Sequence, residues 1–232
     1  MITLYQFATS PFTEKVRRAL NYKGVAFATH EVARAKVPEG EYAAVSPTGK
    51  FPAIVDDGLS VWDSTDIVRH LEAKQTQPSL IPDDPREAAL AHAIEEWADE
   101  SLYFYEMTMR LSWENNLDAA LDEFSRSMPG VAKPQLQELI MNGVRQLTQA
   151  QGVGRKPREQ VIADVERHLN ALNDLLLGRE WLVGNMLSFA DLAVIGQLHA
   201  LLYAEEARAA MAALGTDNIT PWMRRVDHAA PV

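Results

Sequence analysis

Residues 9–20 read TSPFTEKVRRAL, and Ala8 separates them from ITLYQF at residues 2–7. The earlier run has the composition of a short strand, and a proline suits the first position of a helix, where a missing N–H removes no hydrogen bond. The sequence therefore predicts a strand that ends near Ser10 and a helix over residues 11–22. Two roles for Ser10 remain open at this junction: it caps the helix, or its hydroxyl and the helix N-terminus together bind an anion.

Two later segments also place polar groups at junctions between elements. In SPTGKFPAIV at residues 46–55, Pro52 stands at the entrance of a strand, which indicates a turn, a sheet edge or a cis peptide bond. A cis bond would turn the backbone polar groups of Phe51 toward an extended peptide ligand. Asp63 and Ser64 precede a helical run, where they either cap the helix or clasp the ammonium and carboxylate of an amino-acid head group.

The remaining strand signals lie close together in the chain. Residues 25–32, 53–56 and 59–62 favour strands, and the turn between the last two contains Asp57-Gly58, a common hairpin sequence. A helical pattern follows over residues 64–74. Strands interleaved with helices and then closed by a hairpin indicate a small α/β layer.

The rest of the chain has a different character. Residues 75–85 contain three prolines and no periodicity, which is typical of a linker. Beyond that segment apolar residues recur at helical spacing, and the charge of Asp191 in the most apolar window favours a buried helix over a membrane span. Ser188, three residues before Asp191, predicts an N-terminal capping box. The sequence thus predicts an α/β domain over residues 1–77 and an all-α domain over residues 86–232.

The composition excludes several classes of partner and of chemistry. The 232 residues include 22 Lys plus Arg and 32 Asp plus Glu, for a net charge of −10, and no Cys. An acidic balance disfavours nucleic acid and anionic membranes as partners, because phosphate binding needs clustered cations. The absence of Cys excludes disulfides and thiol nucleophiles, and the His residues lack the spacing of metal ligands. Residues 1–7 lack the basic head of a signal peptide, so we expect a cytoplasmic protein without a metal.

Taken in order, these motifs resemble a known family. The Ser-Pro-Phe step at residues 10–12, the Lys-Phe-Pro step at residues 50–52, the hairpin and the Asp-Ser pair at residues 63–64 resemble the thioredoxin-like N-terminal domain of cytosolic glutathione transferases. The linker and the helices resemble that family's C-terminal helical bundle, so the resemblance spans nearly the whole chain. It is nearest to serine-type members, such as the plant tau class and bacterial relatives, and no class is assigned.

The resemblance implies a role for each motif. Ser10 matches the serine that activates the thiol of glutathione, and Phe51-Pro52 matches a cis-proline step that pairs with the cysteinyl backbone. Asp63 and Ser64 match the pair that holds the γ-glutamyl end, although many members have the longer Glu at the first of these positions. Lys50 lies where several classes contact the glycyl carboxylate.

The implied function is conjugation of glutathione, as co-substrate, to small hydrophobic electrophiles by a homodimeric enzyme. Glutathione-dependent peroxide reduction or isomerisation also fits, whereas mixed-disulfide catalysis is excluded because serine cannot form that intermediate. The alternative is a protein with this fold that binds partners and catalyses nothing. The presence together of Ser10, Pro52 and the Asp63-Ser64 pair favours the enzyme.

The electrophile pocket is expected between the two domains. Its predicted wall comprises Phe12, Tyr105, Met109, Arg110 and Trp113, although aromatic and Met residues at helical spacing are also typical of a core. Tyr103, Met107 and Leu111 are further candidates from the same stretch. Residues 113–156 are extra length compared with the family and leave the shape of this pocket open.

A single hydroxyl is sufficient on energetic grounds to ionise the thiol. A thiol with a pKa of about 8.5 is about 3% ionised at pH 7, and lowering that pKa by about 2 units requires about 2.7 kcal/mol. A hydrogen bond to a charged acceptor contributes about 1.5–3 kcal/mol, and a helix N-terminus adds about 0.3–1 kcal/mol. Ser10 can therefore act without a metal or a general base, and Tyr5, Thr9 and Thr13 are rival hydroxyls.

Overall fold

The computed structural model describes residues 1–128 and 130–232, apart from the side chains at positions 119, 123 and 127. The N-terminal part contains β1 (Ile2–Gln6), α1 (Pro11–Tyr22), β2 (Phe27–Glu31), β3 (Ala53–Asp56), β4 (Leu59–Trp62) and α2 (Ser64–Lys74). The helical part contains α3 (Pro85–Trp97), α4 (Tyr103–Leu111), α5 (Glu114–Ser127), α6 (Lys133–Gln151), α7 (Arg158–Leu175), α8 (Phe189–Leu201), α9 (Glu205–Ala212) and α10 (Ile219–Ala229). A π-helical turn over Ala98–Leu102 joins α3 to α4.

The four strands form one mixed sheet in the order β2-β1-β3-β4. β1 runs parallel to β2 and antiparallel to β3, and β3 pairs with β4 as a hairpin. Asp57 and Gly58 both have positive φ, 49° and 87°, as this kind of two-residue turn requires. The predicted fold class is confirmed, and β1 and β2 are each shorter than predicted, since they span residues 2–6 and 27–31.

Helix α8 is the centre of the helical part. Every residue of α8 except His199 is buried, as expected for a helix that is apolar on all sides. The predicted capping box is present at its start: the backbone N–H and the hydroxyl of Ser188 both donate to Asp191 Oδ2, at 2.9 Å each. Asp191 Oδ1 also accepts from the indole of Trp222 at 2.8 Å, which ties α10 to α8. Among the described residues, no helix has the length and apolarity needed to cross a membrane.

The extra length within residues 113–156 forms most of a second, smaller core. Helices α5 and α6 pack on α4 through buried apolar side chains, among them Met107, Leu117 and Ile140. On α5, the ring of Phe124 lies 5.0 Å from the guanidinium carbon of Arg34, which itself lies 3.6 Å from the ring centre of Phe7. The added helices therefore reach the N-terminal domain beside the end of β1.

A buried ammonium joins α1 to α2 and α3. Lys15 on α1 is fully buried and donates to Asp99 Oδ2 at 2.8 Å, to the hydroxyls of Ser64 and Thr65 at 3.2 Å each, and to the carboxylate of Glu95. Two carboxylates thus share one cation away from water, and removing that cation is strongly destabilising because both buried carboxylates lose their partner.

The two carboxylates are not equivalent. Burial and the neighbouring charge of Glu95 raise the pKa of Asp99 to about 6, against the opposing attraction of Lys15. The attraction of both carboxylates nevertheless outweighs burial for the ammonium, and raises the pKa of Lys15. We interpret this as Glu95 balancing the charge of Lys15, so that Asp99 is the second, costlier anion of the group.

Replacing Lys15 by Met should lower the free energy of unfolding by about 3–5 kcal/mol, because two buried carboxylates lose their cation. Urea unfolding followed by far-ultraviolet circular dichroism measures the loss. The triple variant Lys15→Met/Glu95→Gln/Asp99→Asn removes all three charges and should recover at least half of the lost stability. A loss below about 1 kcal/mol in the single variant would contradict the role given to Lys15.

Asp99→Asn should stabilise the protein increasingly as pH rises from 4 to 7. The folded pKa of Asp99 is about 6 and its reference value is 3.8, so the unfolded chain ionises first and ionisation favours unfolding over this range. The increase in the free energy of unfolding of Asp99→Asn over the wild type approaches about 3 kcal/mol above pH 7 and vanishes near pH 4. Urea unfolding of both proteins at several pH values measures it, and an equal difference at all pH values would contradict the raised pKa.

Candidate active site

The strand register brings the three motifs to one end of the sheet. Tyr5 on β1 lies opposite Ala53 on β3, and Ala53 lies opposite Trp62 on β4. The loop after β1, the Phe51-Pro52 step before β3 and the Asp63-Ser64 pair after β4 therefore all leave the sheet at the same end. The rings of Phe7 and Phe51 lie 5.5 Å apart across this end.

Ser10 stands at the N-cap position of α1 with its hydroxyl uncommitted to the helix. Its backbone N–H donates to Phe7 O and its carbonyl accepts from Glu14 N–H, at 3.0 Å each. Within the described residues, however, its side chain makes no capping hydrogen bond. The loop before it is fixed from both sides, because Ala8 N–H donates to Glu31 Oε1 at 3.0 Å and Arg17 Nη2 donates to Ala8 O at 2.9 Å.

The Phe51–Pro52 peptide bond is cis, one of the three alternatives that the sequence left open. Phe51 is buried in a small cluster with Val32 and Tyr42 under this end of the sheet. The preceding loop is held by Ser46, whose hydroxyl donates to the carbonyl of Lys50 at 2.7 Å. The side chain of Lys50 is exposed at the rim.

Asp63 and Ser64 differ in what they do locally. Asp63 caps α2, because its Oδ1 accepts from Thr65 N–H at 2.9 Å, and its own φ is 75°. Ser64 is buried, and its Oγ accepts from Lys15 Nζ at 3.2 Å. Since Lys15 uses an acceptor position of this oxygen, the hydroxyl proton of Ser64 points elsewhere and can donate to an anion at the start of α2.

The structure separates the residues predicted for the electrophile pocket. A cavity of about 400 Å³ lies against the β1–α1 loop, and Arg110 lines it. Met109 is fully buried in the main core, and Tyr105 is buried with its hydroxyl donating to Asp164 at 2.9 Å, so neither is on this cavity wall. Phe12 packs edge-on against the ring of Tyr103 at 4.9 Å between ring centres. The ring of Trp113 lies 4.1 Å from the guanidinium carbon of Arg158.

The cavity wall is more polar than the sequence suggested. Thr9, Glu14, His199 and Tyr203 line it together with Arg110. His199 Nδ1 lies 2.7 Å from Glu14 Oε1, a contact between residues far apart in the chain. The sequence indicates only that the His residues lack the spacing of metal ligands, and no local pattern predicts this pair.

The rival hydroxyls occupy different places. The ring of Tyr5 lies 4.7 Å from that of His30 on the neighbouring strand β2. Thr13 is fully buried, and its hydroxyl has no hydrogen-bond partner among the described residues. Thr9, the residue before Ser10, lines the cavity and stays a rival.

One group of side chains has the composition of a metal site. The ligand atoms of His92, Glu95 and Glu96 lie within 4.8 Å of one another. Glu95 already accepts from Lys15 and Thr65. A cation bound there would compete with the buried ammonium, so this group does not fit a metal as it stands.

Comparison with known proteins agrees with the geometry. The family model described as "Glutathione S-transferase, N-terminal domain" matches residues 4–79, and "Glutathione S-transferase, C-terminal domain" matches residues 155–225. FtsZ-localized protein A of Caulobacter vibrioides is 26% identical over 87% of this chain and 77% of its own. An isoprene-epoxide–glutathione S-transferase of Rhodococcus is 25% identical over 85% of each. A probable maleylacetoacetate isomerase of Drosophila melanogaster is 33% identical, over 40% of each chain.

Solved structures share the whole fold. FzlA from Caulobacter crescentus superposes with a TM-score of 0.57 at 21% identity, over 95% of this chain and 91% of its own. Glutathione transferase F2 from Populus trichocarpa gives a TM-score of 0.68 at 18% identity, over 98% and 93%. The first family model spans all three converging motifs, and the second follows it in the chain. The chain therefore belongs to the glutathione transferase family.

Proposed function

We propose that this protein is a glutathione transferase in which Ser10 holds the thiol of glutathione as the thiolate. The observation that carries the proposal is the uncommitted hydroxyl of Ser10 at the start of α1, in a loop fixed by Glu31 and Arg17. A hydroxyl used for capping would be a structural feature, whereas this one is left for a ligand. The thiolate then attacks an electrophile, and the protein supplies proximity and orientation.

The glutathione site proposed here uses the end of the sheet where the motifs converge. The backbone of Phe51 before the cis bond pairs with the cysteinyl residue, and Ser64 with the free N–H groups of α2 binds the γ-glutamyl carboxylate. Asp63 binds the γ-glutamyl ammonium, and the exposed Lys50 binds the glycyl carboxylate. The ammonium of Lys15 behind Ser64 strengthens the carboxylate site, because it donates to the same oxygen.

Assembly as a homodimer in the cytoplasm is part of the same proposal. Leu59 and Trp62 on the edge strand β4, and Leu90 on α3, are exposed apolar side chains that a second copy would bury. Light scattering on the purified protein tests the dimer.

A second candidate function is partner binding without catalysis. It is favoured by the similarity to FtsZ-localized protein A, which extends over 87% of this chain. In that case immobilised FtsZ, the protein that the name of this relative contains, would retain the chain in a pull-down assay. The two candidates are separated by glutathione itself: a transferase binds immobilised glutathione and elutes with the free tripeptide, and a pure scaffold does not.

Ser10→Ala should raise the pKa of bound glutathione by about 1–2 units, because the thiolate loses a hydrogen bond worth about 1.5–3 kcal/mol. Turnover near neutral pH should fall about 10- to 100-fold, with a much smaller change in glutathione affinity. Titration of the ultraviolet absorbance of the bound thiolate measures the pKa. Ser10→Thr keeps a hydroxyl and is the matched control. An unshifted titration in Ser10→Ala, with a shift in Thr9→Val, would assign the role to Thr9 instead.

Ser64→Ala should weaken glutathione binding about 10-fold, because a hydrogen bond to a carboxylate is lost. Steady-state kinetics should show a higher KM for glutathione and a retained kcat. Ser60→Ala on β4 is the control, since that hydroxyl donates to Ala44 O at 3.3 Å and lies outside the proposed site. A fall in kcat at saturating glutathione without a change in KM would contradict the binding role.

A further inference from the structure

The cavity beside the β1–α1 loop contains a histidine oriented by a carboxylate. His199 is one-third exposed, at 33%, and its Nδ1 lies 2.7 Å from Glu14 Oε1. Because a carboxylate only accepts, the Nδ1 proton donates to Glu14, and Nε2 is the ring nitrogen that can exchange a proton with a substrate.

The approach of two helices fixes this pair. α1 and α8 come so close at Gly196 that a Cβ there would lie 2.7 Å from Pro11 O. Gly196 therefore lets the first turn of α1 bring Glu14 to His199, one turn further along α8. The same cavity reaches Thr9, immediately before the serine proposed to hold the thiolate.

The surrounding charges keep Glu14 ionised. Burial opposes its ionisation, but the hydrogen bond and charge of His199 and the charge of Arg18 outweigh it and hold the pKa of Glu14 below its usual value. Arg18 donates to Glu14 Oε1 at 2.9 Å and to Asp227 Oδ1 at 2.7 Å, and its Nη2 lies 3.5 Å from His199 Nδ1. On α4, Arg110 lines the cavity and pairs with Glu106.

A proton donor in this cavity accelerates the reaction only with electrophiles whose departing atom needs a proton. When a thiolate displaces chloride from an aromatic ring, the leaving group needs no proton. When a thiolate opens an epoxide, the departing oxygen becomes an alkoxide, which is strongly basic and needs one. General acid catalysis by a positioned His contributes about 10²–10⁴-fold to such a step.

We propose that His199, oriented by Glu14, donates a proton to the oxygen of an epoxide while the thiolate of glutathione opens the ring. This inference rests on the proposed transferase function. The step starts with a proton on both ring nitrogens of His199, and the carboxylate of Glu14 balances that charge. The C–S bond forms as the C–O bond breaks, and the electron pair of that bond goes to oxygen, which takes the proton from Nε2 and leaves the Nδ1 proton in place. His199 regains a proton from water, which balances the thiol proton released when glutathione binds.

The test compares two electrophiles in one assay series with glutathione: styrene oxide, and 1-chloro-2,4-dinitrobenzene as an aryl chloride. His199→Gln should lower the ratio of kcat/KM for the epoxide to that for the aryl chloride about 100-fold. Glu14→Gln keeps a hydrogen-bond acceptor without the charge, and should lower the ratio about 10-fold. His70→Gln is the matched control, because Nε2 of His70 on α2 contacts Asp56 Oδ2 on β3 at 2.8 Å, and its loss should leave the ratio unchanged.

Each outcome decides one point. An equal loss with both electrophiles in His199→Gln, or no loss with either, would overturn the proton-donor role. A selective loss in Tyr203→Phe in place of His199→Gln would identify the hydroxyl of Tyr203 as the proton donor and would overturn the role of His199 as well. A wild-type protein that conjugates the aryl chloride and opens no epoxide refutes this inference alone, whereas failure to bind immobilised glutathione refutes the proposed function itself.

Discussion

The buried ammonium of Lys15 is the constraint on which both the fold and the candidate site depend. A cation that is buried away from water needs hydrogen-bond acceptors around it. Nζ of Lys15 donates to Glu95 and Asp99 of the helical part, and to Ser64 and Thr65 of the N-terminal domain. This group fixes the start of α2 relative to α1 and α3. The serine proposed to bind a carboxylate is therefore positioned by the same charge that joins the two parts of the chain.

Much of the fold follows from local patterns. The bounds of α1, β3, β4 and α2 match those expected from a proline at the first helical position, a hairpin turn and a polar pair before an apolar run. The capping box at Ser188 was also predictable, because its partner is only three residues away. Each of these features depends on residues that are neighbours in the sequence. Local hydrogen bonds and steric contacts determine where these elements begin and end, largely without tertiary contacts.

The candidate site was predictable only where the sheet itself arranges it. Strand register is enough to bring Ser10, Pro52 and Asp63 to one end. Glu95 on α3 is 80 residues away from Lys15 in the chain, and His199 is 185 residues away from Glu14. No local pattern specifies such pairs. The pair of His199 and Glu14 depends on how closely α1 approaches α8, which in turn needs the glycine at position 196.

The π turn keeps one buried face continuous from α3 to α4. Apolar residues of α3 and α4 follow three- and four-residue steps, but Trp97 to Leu102 is a five-residue step, at the place where the π turn lies. One inserted residue rotates all later side chains by about 100°. The wider π turn absorbs this rotation, so Leu102, Tyr105 and Met109 lie in the same core as Ile94, while Arg110 lines the cavity. The wall of the cavity that we propose to hold the electrophile is polar, which favours electrophiles that gain from a hydrogen bond or a proton over purely apolar ones.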